Sequence, residues 1–256
     1  MFVLCPPYRA NLAIVSKMEI SMMSFNRRVA VGLLAGVLLI SAGPALAEEP
    51  PFLKAEDVSL LDILPPPPAP DSDKTNAEIS AFHSFETTRT EEQAKRAVAD
   101  DEETVFRFLA GMNISLDPAK VPLTAKFFES ISATEGEIVD PAKNVWGRPR
   151  PPVVDPTIKP LIKLSKSAAY PSGHATLGML FAITLAKMLP EKKDELFARA
   201  VDYGFSRYVV GVHYLSDIEA SKSAGAAIGN ALLHNEAVLK AMEPVKAELR
   251  AAMGMM

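Results

Sequence analysis

Apolar residues along most of this chain recur at three- and four-residue spacing, and period-two alternation is nearly absent. The spacing predicts helices. From Thr75 onward the chain reads as helical, and Thr90-Glu91-Glu92-Gln93 is a capping-box pattern opening a helix to about Leu109, where Gly111 can end it. Val121-Pro122 and the apolar positions Leu123, Phe127, Phe128 and Ile131 predict another helix, while Gly136 to Pro160, rich in proline and glycine, reads as mostly irregular. An apolar helix follows His174 to about Met188. Pro190 then opens an amphipathic one with Leu196, Phe197, Ala200, Val201 and Phe205 on one stripe. His213 to Leu233 and Glu236 to Met253 read as two more. With no internal repeat, residues 75–256 are expected to form a single all-α, helical-bundle domain.

The segments before Thr75 have a different character. Residues 48–74 are proline-rich around Leu64-Pro65-Pro66-Pro67-Pro68-Ala69-Pro70, a run that favours polyproline and excludes helix. Val58, Leu60, Leu61 and Ile63 just before it favour an arm laid across the domain over a free linker. Within residues 1–47, Ser24 to Ala47 has a basic start (Arg27, Arg28), an apolar run from Val29 to Ile40 and the small-residue ending Ala45-Leu46-Ala47. That is the pattern of a cleavable signal peptide, with Met18, Met22 or Met23 as alternative starts and an uncleaved anchor as the competing reading. It implies a periplasmic or secreted protein. The only cysteine, Cys5, would leave with the signal, so packing rather than a disulfide must hold the mature fold. Leu177 to Leu189, interrupted by Lys187, is a poor membrane span, so no stable membrane insertion is expected. A formal net charge of −4 gives no basic footprint for nucleic acid.

Three blocks carry candidate chemistry. The first is Lys143-Asn144-Val145-Trp146-Gly147-Arg148-Pro149-Arg150-Pro151; the second is Tyr170-Pro171-Ser172-Gly173-His174; the third is Ser206-Arg207 followed by His213 and Asp217. Ser172 is a natural N-cap, and Gly173 lets backbone approach a ligand. The free N–H groups and positive dipole end of the helix that follows suit an anion, with His174 placed to move a proton. Arginine adds bidentate donors and lysine a point charge, together what a phosphate needs. His213 and Asp217, four apart, would share one face of a helix; a carboxylate on one imidazole nitrogen fixes the tautomer and leaves the other free to attack.

Lys143, Arg150, Pro151; Pro171, Ser172, Gly173, His174; and Ser206, Arg207, His213, Asp217 match, in order and spacing, the three-part signature of the superfamily joining type-2 phosphatidic acid phosphatases to vanadium haloperoxidases. Within it the chain most resembles the class A bacterial nonspecific acid phosphatases, through the Leu-Pro-Pro-Pro-Pro-Ala run, Leu164-Ser165-Lys166, and Gly204-Phe205-Ser206-Arg207 leading to His213-Tyr214-Leu215-Ser216-Asp217. The resemblance implies the helical-bundle fold of that superfamily and an acid phosphatase acting on small phosphomonoesters of broad kind. It implies His213 as nucleophile, Asp217 orienting it, His174 as general acid, and Lys143, Arg150, Ser172, Gly173 and Arg207 as the phosphate cradle. It further implies no metal and no cofactor, inhibition by inorganic phosphate or vanadate, a homo-oligomer, and phosphotransfer wherever an alcohol outcompetes water. Arg148 is expected to be a surface charge, His83 and His234 structural or exposed, and Trp146 a packing residue. Ala175, Thr176 and Tyr208 are candidates to shape the leaving-group side, and Glu129 to line the pocket entrance. The rivals are a vanadium-dependent haloperoxidase, a lipid phosphatase and a phosphoester-binding protein without turnover.

Overall fold

The order of elements follows from which helices can bury a whole circumference and which only one stripe. A computed structural model describes residues 49–255, and the signal-peptide expectation for residues 1–47 lies outside them. Ten α-helices are described: α1 (Leu60–Ile63), α2 (Asp73–Thr88), α3 (Glu91–Ala99), α4 (Val105–Ala110), α5 (Pro122–Trp146), α6 (Pro151–Val154), α7 (Gly173–Met188), α8 (Lys193–Val209), α9 (Leu215–Leu233) and α10 (Glu236–Ala252), with no strand among the described residues. The all-α expectation holds.

Helix α7 is the centre. It is apolar on every side, from Leu177 and Leu180 to Phe181, Leu185 and Met188, and such a helix is stable in water only when surrounded. It packs most heavily on α8 and α9 and next on α5, while α10 closes over α5 and α9. Gly225 and Gly229 allow the close approach of α9. A Cβ on Gly225 would lie 2.5 Å from Met179 Cβ, and one on Gly229 2.6 Å from Ile183 Cδ1. The arm is seated on this bundle: Leu53, Val58, Leu60 and Leu64 are buried, Leu61 and Ile63 face out, and Phe52 meets the Phe127 ring at 5.1 Å. Tyr170 Oη donates to Pro65 O at 2.7 Å, tying the proline run to the residue that opens the second block.

Three expectations are corrected, each with consequences for the site. The capping box at Thr90 forms, but the helix it opens stops at Ala99, and Thr104 caps a new one by accepting from Arg107 N at 3.0 Å. The break lets Asp100 turn inward, fully buried. It accepts from Arg199 at 2.7 and 2.9 Å, from Arg107 Nε at 2.8 Å and from Ser206 Oγ at 2.8 Å. Burial pushes that carboxyl up, yet Arg199, Ser206 and Arg107 outweigh it and hold it below the usual carboxylate range. Second, residues 136–146 are not irregular: α5 runs through Pro141 to Trp146. The lost hydrogen bond at Pro141 is outweighed by the buried stripe Phe127, Phe128, Ile131, Ile138, Val139 and Ala142. Gly147, at φ 57, ends it in the left-handed region. Third, His213 lies before α9 rather than in it, because Tyr214 is extended and its N–H is taken by Asp217 Oδ2 at 3.0 Å.

Replacing Asp100 by alanine leaves Arg199 buried with only the longer pair to Asp202 at 3.6 Å, and a buried pair broken on one side costs about 3–5 kcal/mol. Urea unfolding of Asp100→Ala should show a loss of that size; a loss within about 0.5 kcal/mol, as for a surface change, would contradict the role given to this cluster.

Candidate active site

The end of one helix and the start of another set the geometry. Lys143 sits in the last turn of α5, and Arg150 follows the Gly147 turn. Ser172 caps α7, its Oγ accepting from Ala175 N at 3.3 Å, so Gly173 and His174 occupy the first helical turn with amides free. Arg207 comes from the last turn of α8. These segments enclose a cavity of about 220 Å³ lined by Glu103, Glu135, Asp140, Lys143, Arg150, Ser165, Ser167, Gly173, His174, Arg207 and His213. The structure therefore brings together Lys143, Arg150, Gly173, His174, Arg207 and His213. Ser172 and Asp217, both fully buried, stand behind that wall, as the α7 cap and as the partner of His213.

The two imidazoles are held differently. His213 Nδ1 lies 3.2 Å from Asp217 Oδ2, and its Nε2 lies 3.0 Å from Arg150 Nη1. A guanidinium only donates, so Nε2 carries the lone pair and Nδ1 the proton, a tautomer assigned from partners. Burial first, then Arg150, Arg207, Lys143 and His174, hold this imidazole well below the usual histidine range. His174 is 3.1 Å from Glu103 Oε1 through Nδ1 and stacks on Tyr203 with centroids 4.1 Å apart. Its Nε2 is buried without a partner. Burial lowers it to about 4 while Glu103 pulls upward.

The cations are restrained by groups on the rim of the cavity and behind it. Lys143 Nζ is 3.8 Å from Asp140, and Arg207 Nη1 donates to Asp101 Oδ1 at 2.7 Å. Arg150 is held by Ser167 O at 2.9 Å and Val212 O at 3.1 Å; burial, then Arg207, lower it to about 10, still a cation at neutral pH. Arg207 Nε is buried and unpartnered, as are His174 Nε2 and Glu135 Oε1. A polar ligand in this cavity would give all three a partner.

Arg148 corrects a sequence reading. It is buried, not a surface charge: Nη1 donates to Asp217 Oδ1 at 2.5 Å and to Ser216 Oγ at 2.7 Å, Nη2 donates to Glu78 Oε2 at 2.9 Å, and the guanidinium covers the Tyr214 ring at 3.9 Å. Burial pushes the Asp217 carboxyl up, and the Arg148 guanidinium and the Tyr214 N–H pull it back toward the ionised form. Ala175, Thr176 and Tyr208 do not line the cavity; they are buried in helix packing, Tyr208 against Phe82 and Phe85. Glu129 lines a separate cavity of about 420 Å³ that shares Glu103 as a wall. His83 pairs with Asp155 at 2.9 Å, and Trp146 packs edge-on to Tyr170, as expected of structural residues. Sequence reasoning missed Glu103, Glu135, Asp101 and Glu78. The first and third lie in an acidic run with no motif spacing; the other two are isolated acids on helices.

The chain has known relatives. The PAP2 superfamily matches residues 126–238, a span containing all three blocks. The acid phosphatase of Zymomonas mobilis is 38% identical over 117 residues, 43% of this chain and 43% of that protein, so this match spans less than half of the relative's length. The non-specific acid phosphatase of Salmonella typhimurium is 29% identical over 203 residues, 76% of this chain and 81% of that one. The crystal structure of a bacterial vanadium-dependent iodoperoxidase matches with a TM-score of 0.51 and 18% identity over 66% of this chain and 51% of that chain, a likeness of fold alone.

Nitrogen-15 NMR should find His213 neutral, with its proton on Nδ1, at about pH 6.5, where an ordinary histidine is half charged. An imidazolium at that pH, or the opposite tautomer, would contradict the arrangement.

Proposed function

We propose, from the match of residues 126–238 to the PAP2 superfamily and from the site, that the protein is an exported acid phosphatase that hydrolyses phosphate monoesters of broad kind through a phosphohistidine. One observation carries the reading: a lone pair on His213 Nε2 and an orphaned nitrogen on His174 border a cavity with Lys143, Arg150 and Arg207 on its walls. Export rests on the signal pattern in Ser24 to Ala47.

The substrate's phosphoryl oxygens take the donors of Lys143, Arg150 and Arg207 and the free amides at Gly173 and His174, a cradle that Ser172 holds by capping α7. Charge spread over those oxygens in the transition state is stabilised by donors already in place. Arg150 now donates to phosphate, which frees the His213 Nε2 lone pair. That lone pair forms the P–N bond as the P–O bond breaks, and the departing oxygen takes the proton from His174 Nε2. Neutral His174 then removes a proton from water, which attacks phosphorus; the P–N electrons return to His213. An alcohol in place of water would be phosphorylated. Asp217, backed by Arg148, keeps the His213 proton on Nδ1 and balances the charge that develops on the ring.

The pH dependence follows from the directions. His213 works neutral, which its depressed pKa allows in acid. His174 must carry a proton, and a bound dianion together with Glu103 raises it from its low value, so turnover falls as pH rises. Among the described residues no three His, Cys, Asp or Glu side chains gather to hold a metal ion. Charge neutralisation is assigned to Lys143, Arg150 and Arg207.

His213→Ala should abolish p-nitrophenyl phosphate hydrolysis and the trapping of labelled phosphoenzyme, while EDTA leaves the wild-type rate intact. His174→Ala should cost about 10²–10⁴-fold with alkyl phosphates, whose leaving oxygen needs a proton, and less with p-nitrophenyl phosphate. A His213→Ala enzyme near the wild-type rate would refute the mechanism.

A further inference from the structure

The mechanism leaves one half-buried acid in the cavity without a task. Glu135 projects from α5 two turns before Lys143. Its Oε1 lies 2.6 Å from the point where a Cβ on Gly173 would stand, and Lys143 Nζ lies 3.1 Å from the same point. The carboxyl therefore hangs over the first residue of α7, where the phosphate cradle offers its free amides. Oε1 is buried and has no hydrogen-bond partner. Lys143 takes Asp140 as its nearby carboxylate, at 3.8 Å, so Glu135 does not serve as its close counter-ion.

Resting on the phosphatase reading above, we infer that Glu135 contacts the bound phosphoryl group as a neutral carboxylic acid, donating a hydrogen bond to one of its oxygens, and that its ionisation closes the cradle to phosphate at alkaline pH. An ionised carboxylate only accepts, so at this position it would turn lone pairs toward an anion that also only accepts. The protonated acid has a donor to give. The groups around it are Lys143 and Asp140 on its own helix, Glu103 from the loop between α3 and α4, and His174 at the start of α7. Arg150, Arg207 and His213 line the same cavity. Burial first, then Glu103 and Asp140, push the Glu135 carboxyl up to about 8 against the pull of Lys143. Below that pH the acid is neutral and all three cations act on phosphate undiminished. Above it, a negative charge inside the cavity offsets one of them.

The test is calorimetric titration of inorganic phosphate into the full chain at about pH 6 and about pH 9, on either side of this ionisation, for wild type, Glu135→Gln and Glu135→Asp. One unit charge at contact range and an effective dielectric near 20 changes anion affinity by about tenfold or more. Wild type and Glu135→Asp should therefore lose at least about tenfold more phosphate affinity across that span than Glu135→Gln. The ligand's own titration is common to all three proteins and cancels in the comparison. A matching alkaline extension of p-nitrophenyl phosphate kcat/KM in Glu135→Gln supports the inference. A Glu135→Gln protein that tracks wild type at both pH values overturns it, as does a folded Glu135→Gln protein without phosphate affinity at about pH 6. If wild type neither binds phosphate nor hydrolyses the ester at any pH, the phosphatase reading itself fails; if it does both and only the variant comparison is flat, this inference alone fails.

Discussion

Lys143, Arg150 and Arg207 converge on a space of about 220 Å³, and holding three like charges there is the constraint the rest of the structure has to meet. Each unit pair at contact range repels by several kcal/mol at the effective dielectric of a protein surface. The relief comes from the rim of the cavity and from behind it. Asp140 sits against Lys143 and Asp101 against Arg207, while Arg150 rests on backbone carbonyls of Ser167 and Val212. None of these counter-groups fills the cavity, so each cation keeps a side free for an incoming anion. The cost of that openness is visible as orphaned atoms, Arg207 Nε and His174 Nε2 among them.

The architecture answers the same constraint. Four backbone segments must end at one point, and only a helix buried all round can put its N-terminus in the middle of a bundle. Helix α7 does this, with α5 and α8 packed against it and delivering their own ends to the cavity, while α9 packs alongside and holds His213 from behind through Asp217. Two buried ionic clusters fix those ends. The Asp100–Arg199–Arg107–Ser206 cluster ties the loop after α3 to α8, which orients Asp101 toward Arg207 and Glu103 toward His174. The Glu78–Arg148–Asp217 chain ties α2 and the segment after α5 to the start of α9, and its inner end holds His213. Such clusters are poor sources of net stability but good fixers of geometry, because a shifted member leaves a buried charge unpaired.

The helices and their order were readable because their signals are local: apolar spacing for α8 and α10, a capping box at Thr90, an N-cap at Ser172. So were Lys143, Arg150, Gly173, His174, Arg207 and His213, whose spacing matches a known signature. The readings that failed share a cause. Proline and glycine between Gly136 and Pro141 disfavour helix locally, and the buried stripe of α5 overrides them. Arg148 and Arg150 look alike in Arg-Pro-Arg, yet one faces the cavity and the other Asp217, a choice made by which side chain meets a carboxylate folded in from elsewhere.

The chain by itself thus determined an all-helical fold and the residue types of the three blocks, and it set His213 four positions from Asp217, all through signals between neighbours within each stretch. Tertiary structure alone decided that Glu103 and Glu135 line the cavity, that Asp101 meets Arg207 and that Glu78 meets Arg148. Those contacts link side chains from separate helices and loops, and burial, which sets their charge states, is a property of the packed bundle that no short stretch of sequence carries.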